Sequence, residues 1–147
     1  MKNWDWKIYV LVILQFGLSS VIVLSTPLPT LTIWNGLGMI SGFILFLWSI
    51  AIMKLHNLSV GPVPHRNAKL VTNGPYRIFL HPMYNALLIL TGSTLSFEPP
   101  YWRLLMWFAL VSVLNFKARH EEIFMQERFQ EYEQFKKSRW RFLPYLY

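Results

Sequence analysis

Residues 8–26 read IYVLVILQFGLSSVIVLST and residues 31–53 read LTIWNGLGMISGFILFLWSIAIM, 19 and 23 residues without a charged side chain. At about 1.5 Å per helical residue, each run can cross a hydrocarbon core of about 30 Å. Lys2 and Lys7 precede the first run, as in a signal peptide, but no small-residue cleavage site follows, so it is read as a membrane span. TPLPT (26–30) joins the two runs and predicts a tight hairpin between antiparallel spans.

Working outward, two further apolar runs, 82–97 and 101–116, are separated by Glu98-Pro99-Pro100. Sixteen residues each, they reach only about 24 Å. They can span as a hairpin if the second helix continues, and KARHEEIFMQERFQEYEQFKK (117–137) has no Gly or Pro to stop it. The whole chain supports a membrane class: of 147 residues, 54% are hydrophobic and 14% charged, with a mean hydropathy of +0.32. The net charge of +7 could suggest nucleic acid, but the basic residues fall in two blocks beside apolar runs. Lys54, Arg66, Lys69 and Arg77 form one; Lys117, Arg119, Arg128, Lys136, Lys137, Arg139 and Arg141 form the other. Orientation by basic residues places both blocks in the cytoplasm.

The expected fold is therefore all-α and polytopic, a single membrane-embedded domain over 1–147. Its four transmembrane helices lie at about 8–26, 31–53, 82–97 and 101–116. Segments 54–81 and 117–147 and both termini are cytoplasmic, in a bacterial cytoplasmic membrane, with membrane lipids and no nucleic acid as partners. Gly38 and Gly42 form a GxxxG that permits close helix approach, although small residues are common in any membrane helix.

Chemistry concentrates in two places. GPYRIFLHPMYNA (74–86) is too polar and proline-rich for a stretch that only opens a membrane helix. His81-Pro82 fits a helix start, whose outward N–H groups and dipole can hold an anion such as a carboxylate. The alternative is a helix that stops and restarts with His81 as a polar cap; Tyr76, Arg77 and Tyr84 crowd the same point and favour a ligand. The second place is Glu121-Glu122. Counting about 100° per residue from Glu122, Met125, Phe129 and Tyr132 fall at roughly 300°, 340° and 280°, and Glu121 at roughly 260°. Both acids thus border an apolar face, where an acid needs a cation or a hydrogen-bond donor. A solvated pair, or Arg119 pairing locally with Glu122, stays open as the alternative. The dispersed histidines His56, His65, His81 and His120 give no metal site, the absence of cysteine removes thiolate chemistry, and no nucleophile, base and orienter triad is visible.

Together, LVTNGPYRIFLHPMYNALL (70–88) and RHEEIFMQERFQEYEQFKKSRWRFLP (119–144) resemble the isoprenylcysteine carboxyl methyltransferase family and the related phospholipid methyltransferases. Gly74, Tyr76, His81, Pro82 and Tyr84 match the family's first motif; Glu121, Glu122, Phe129, Tyr132, Arg141 and Pro144 match its second. Leu80 stands where the family usually has arginine and Ala86 where it has glycine, so the arginine's contribution is lost or comes from Arg77. The resemblance implies an S-adenosylmethionine-dependent methyltransferase with a lipophilic or lipidated acceptor. It implies cofactor binding by Tyr76, Arg77, His81, Pro82, Tyr84, Glu121 and Glu122, and substrate binding by Arg141, with no catalytic residue assigned. The cofactor's carboxylate would suit the helix start, and its ammonium, hydroxyls and sulfonium would suit acids and aromatic faces. The competing reading is a non-catalytic membrane protein that keeps the fold.

Overall fold

The computed structural model describes residues 5–27, 32–53, 70–95 and 99–142. Lys2, Lys54, His56, His65, Arg66, Lys69, Glu98 and Pro144 lie outside the described residues. The helices are α1 (Asp5–Leu24), α2 (Ile33–Met53), α3 (Pro82–Ser93), α4 (Tyr101–Arg128) and α5 (Tyr132–Lys137), with a 3-10 turn at Gly74–Arg77. Among the described residues there is no strand, only an isolated parallel bridge between Phe79 and Trp140.

Helices occupy all four expected positions, but the expectation of four spans is only partly met. Among the described residues, Trp6–Leu24 and Ile33–Met53 are the two helices long and apolar enough to cross a membrane, by length and composition. Helix α3 has 12 residues and ends at Ser93, so it is about 18 Å long. Helix α4 has 28 residues, yet it carries Arg103 and Lys117.

Most of the expected TPLPT turn lies outside the described residues, and the two helices it joins do not form a side-by-side pair. Instead α1 lies against α4 and α2 against α3. Polar ties explain the first pairing. At one end, Arg103 is buried with Nη2 3.1 Å from the Ile22 carbonyl, 2.8 Å from Thr26 Oγ1 and 3.0 Å from the Thr94 carbonyl. Further along, Lys117 Nζ donates to Gln15 Oε1 at 2.9 Å, both side chains buried. The two ties run in opposite directions along α1 and α4, so the helices are antiparallel. Lys117 is thus no part of a solvated basic tail, as its place in the sequence suggests, but an interior residue of the bundle. Ile22, Leu110, Leu114 and Ala118 form the core along this seam, with Tyr84 and Phe142.

Glycine explains the second pairing. A Cβ at Gly42 would lie 2.9 Å from Leu90 Cγ and 3.1 Å from the Ala86 carbonyl oxygen, and one at Gly38 would collide with Ser93 Oγ. The GxxxG face of α2 thus seats α3 almost backbone to backbone. Ala86 is fully buried at this contact, where a small side chain meets the same requirement as a glycine. Asn35 then closes the far end, donating from Nδ2 to the Ser93 carbonyl at 2.7 Å and the Leu95 carbonyl at 3.2 Å.

The helix that enters 117–137 does not run through it. It ends at Arg128, Phe129 is extended (φ −120°, ψ 111°), and α5 starts at Tyr132. Helical propensity favours continuation; burial decides otherwise. Folding back lets Tyr132 and Phe135 pack on Leu80, with Phe129 and Met125 beside them. Three buried side chains of this size outweigh a few tenths of a kcal/mol of propensity per residue.

Gly42→Val should destabilise the bundle by about 1–3 kcal/mol, because the added carbons meet backbone on α3. Gly36, where nothing lies within 4 Å of an added Cβ, is the control. Gly36→Ala should be neutral or stabilising by up to about 1 kcal/mol. Thermal unfolding of both variants in detergent reads the difference.

Candidate functional site

The loop that leads into α3 is shaped by its contact with α2. Gly74 has φ +59°, a left-handed conformation, and a Cβ there would lie 2.8 Å from Ile52 Cγ1. Pro75 and Tyr76 are buried behind it, with the Tyr76 hydroxyl 3.6 Å from Met53 sulfur. Burial, and then the charge of Glu121, push the Tyr76 pKa up, so the phenol stays protonated. Pro82 then opens α3 as the sequence predicts.

At the start of that helix the His81 carbonyl takes the first intrahelical bonds, from the N–H groups of Tyr84 and Asn85 at 3.1 and 3.2 Å, and the His81 side chain makes no capping bond. His81 is therefore not a polar cap. Its ring points to α4, with Nε2 3.2 Å from Glu122 Oε1 and Nδ1 3.7 Å from Glu121 Oε2.

Glu122 is 2% exposed and saturated with donors. Arg141 Nε and Nη2 reach its two oxygens at 2.6 and 2.8 Å, Lys136 Nζ reaches Oε2 at 2.6 Å, and His81 completes the set. Two carboxylate oxygens offer about four acceptor positions, and four donors fill them. Burial alone would raise the Glu122 pKa, but the bonds from His81, Arg141 and Lys136 win and hold it well below the usual carboxylate range. An ionised carboxylate only accepts, so Nε2 of His81 carries a proton.

Glu121 is engaged differently. The Tyr84 hydroxyl donates to its Oε1 at 2.6 Å, while among the described residues Oε2 pairs only with the distant His81 Nδ1, at 3.7 Å. The Tyr84 ring is itself engaged. His81 stacks on it at 5.3 Å and 9°, and Lys117 Nζ lies 5.1 Å from its ring centroid. The ring is thus buried in the cluster.

The segment after α5 holds the cluster together. Leu80 N–H donates to the Trp140 carbonyl at 2.9 Å and Trp140 N–H to the Ile78 carbonyl at 3.1 Å, the two bonds of the parallel bridge. Arg139 Nε donates to the Tyr76 carbonyl at 3.0 Å, and Asn85 Nδ2 to the Phe142 carbonyl at 3.0 Å. This strap fixes Arg141 over Glu122, with Arg141 Nη1 3.5 Å from Asn115 Oδ1. A shallow concavity of about 350 Å³ opens beside it, bounded by Arg119, Glu122, Ile123, Gln126, Lys136 and Arg141.

Of the residues singled out in the sequence, His81, Tyr84, Glu121, Glu122 and Arg141 thus converge, with Pro82 at the helix start and Tyr76 within electrostatic range of Glu121. Arg77 does not join them. It is exposed at the end of the 3-10 turn, and no bond to either acid comes from it. The place of the family's arginine is taken by Leu80 packed on Tyr132 and Phe135, and the cations on Glu122 come from Arg141 and Lys136. A solvated Glu122 is likewise excluded. Lys117 and Lys136 were read in the sequence only as members of a basic block, and Gln15 and Asn115 were not singled out. The one usable signal was the demand of a buried acid for cations, which names no partner.

A helical bundle with a buried ionic cluster joining two helix-borne motifs is the class this geometry defines. The chain belongs to the phospholipid methyltransferase family, whose sequence model matches residues 31–132, and which includes the isoprenylcysteine carboxyl methyltransferase-like enzymes. No curated protein and no solved structure matches the chain. Membership implies methyltransferase activity, and with two apolar helices it places the chain at a membrane. The match takes in both acids, whereas Lys136 and Arg141 lie beyond it.

Glu122→Gln should cost about 3 kcal/mol at neutral pH, the low end for breaking a buried ion pair because Lys136 is a third exposed. The pH dependence has a fixed sign. Because the folded-state pKa is depressed, the stabilisation by Glu122 is complete above the unfolded value of about 4.3 and drains away as pH falls below it. Urea unfolding from pH 7 to pH 3 should show that loss in the wild type and a flatter profile in the variant.

Proposed function

We propose that the chain is an integral-membrane methyltransferase that uses S-adenosylmethionine and methylates a lipophilic acceptor, an isoprenylcysteine-like carboxylate or a lipid. The observation that carries this reading is the ionic cluster itself, which joins His81 and Tyr84 of the first motif to Glu121 and Glu122 of the second at the apolar edge of the bundle. Helix α1 serves as a ruler for that depth. Gln15 lies about 10 Å inside the apolar edge at Ile8, and from Lys117 the two acids lie about 6–7.5 Å back toward that edge. They are therefore within about 4 Å of it. At this depth an acceptor reaches the cluster sideways from the bilayer while a soluble cofactor arrives from water.

The donor set suits such a cofactor. Glu121 keeps an acceptor oxygen for an ammonium or ribose hydroxyls and is held in place by the Tyr84 hydroxyl, with His81 beside it. Glu122 acts through Arg141 and His81, which it orients. Bound S-adenosylmethionine supplies a methyl group already activated on sulfonium, so transfer calls for alignment more than for a nucleophile and base. Lys117, with Gln15, stiffens Tyr84 from the bundle side. Multiple spans with both termini cytoplasmic, and one domain over 1–147, complete the proposal.

A second reading, a non-catalytic protein of the same fold, is favoured by Leu80, which turns a position usually cationic into part of an apolar cluster. Purified protein incubated with methyl-labelled S-adenosylmethionine, total lipid and prenylcysteine analogues should yield a labelled lipophilic product. Binding without transfer to any of these would favour the second reading. Glu121→Gln should weaken S-adenosylhomocysteine binding about tenfold or more, the usual value of a charge-assisted hydrogen bond. Exposed Glu131→Gln should leave it within about twofold.

A further inference from the structure

Lys117 is a buried residue in the apolar part of the bundle, one helical turn before Glu121 on α4. Its Nζ donates to Gln15 Oε1 at 2.9 Å and lies 5.1 Å from the centroid of the Tyr84 ring. An amide oxygen and a ring face do not balance an ammonium withdrawn from water; such a charge needs an anion. Glu122 cannot serve, because Arg141, Lys136 and His81 already surround that carboxylate. Glu121 can. It stands four residues on from Lys117, on the same side of one continuous helix, and it is the carboxylate whose charge acts on the ammonium. Tyr84 joins the two groups, since its ring meets Lys117 while its hydroxyl donates to Glu121 Oε1 at 2.6 Å. Gln15 fixes the ammonium from the other side, and it does so from α1, a helix that lies outside the 31–132 stretch matched by the family's model. Neither Lys117 nor Gln15 belongs to the two motifs.

We propose that Lys117 is a positioning residue, its ammonium the countercharge of Glu121 held against the Tyr84 ring, and that Gln15, by fixing that ammonium, makes helix α1 a working part of the site. The pairing of Lys117 with Glu121 stands on the geometry alone. Its effect on ligand binding rests on the function proposed above.

The test has one arm without ligand and one with it, both on the full chain in detergent micelles. In the first, Lys117→Met should lower the melting temperature about 3 °C more in the wild-type background than in the Glu121→Gln background, because a countercharge matters only while its partner is charged. Equal shifts in the two backgrounds overturn the pairing. Gln15→Leu, run through the same two backgrounds, takes its place if Lys117→Met does not fold. In the second arm, calorimetry with S-adenosylhomocysteine, Lys117→Met and Gln15→Leu should each weaken binding about fivefold. Lys117→Met combined with Glu121→Gln should bind within about twofold of Glu121→Gln alone, because Lys117 acts through that acid. A residue that only stabilises the bundle gives multiplied losses, and that result overturns the positioning role. Lys117→Arg keeps the charge and should bind within about twofold of the wild type; a loss equal to that of Lys117→Met overturns the assignment to charge. Ser20→Leu, on the exposed side of α1, is the control and should change binding less than about twofold. Wild-type affinity in Gln15→Leu overturns the part given to α1. A wild type that binds no S-adenosylhomocysteine at all overturns the function proposed above, while the first arm still decides the pairing.

Discussion

A carboxylate buried where α4 meets the C-terminal strap has to be compensated, and the local architecture follows from that requirement. An ionised group taken out of water costs several kcal/mol unless charge and hydrogen bonds replace the solvent. Glu122 obtains them from three separate parts of the chain: His81 before α3, Lys136 on α5 and Arg141 on the strap. None of these elements is long or apolar enough to hold its place alone. The reversal at Phe129, the packing of Tyr132 and Phe135 on Leu80, and the bridge between Phe79 and Trp140 are the means by which the cations reach the acid.

The bundle follows a similar rule at two other levels. Arg103 gathers the ends of α1 and α3 around one guanidinium, and Lys117 fastens the middle of α1 to α4. Polar groups in an apolar setting are directional, whereas greasy helix faces are not, so these few ties settle which helices become neighbours. That is why α1 takes α4 as its partner despite the short connection to α2. The glycines of α2 settle the rest by offering a surface that only a closely approaching helix can fill.

How much of this was legible in the sequence depended on the range of the signal. The charge-free runs located α1 and α2 to within a few residues, and His81-Pro82 located the start of α3. Helical counting around Glu122 found an acid on an inward face, because Lys117, Ala118 and Glu122 lie within one continuous helix. The same counting failed beyond Arg128, where tertiary burial overrode propensity, and with it went any chance of finding Lys136. Arg141 was reached through resemblance alone. The strap left no local signature, since its bridge joins residues some sixty positions apart and has no turn or periodicity to announce it. Arg77 was chosen by proximity in sequence to the missing arginine, and proximity in space went to the far end of the chain.

The strap has a consequence for how the protein is made. Chains are synthesised from the N-terminus, and their parts settle in that order. The long apolar helices can enter the bilayer while residues 136–141 are still unmade, and Glu122 then stands at the boundary without its two strongest partners. Until those residues emerge, protonation or contact with water is the cheapest state for the carboxyl, which holds that end of α4 at the surface. Arrival of the two cations exchanges water for fixed charge and draws the helix end into place. Biogenesis thus has a built-in last step, and a chain interrupted before Arg141 is inserted but unfinished.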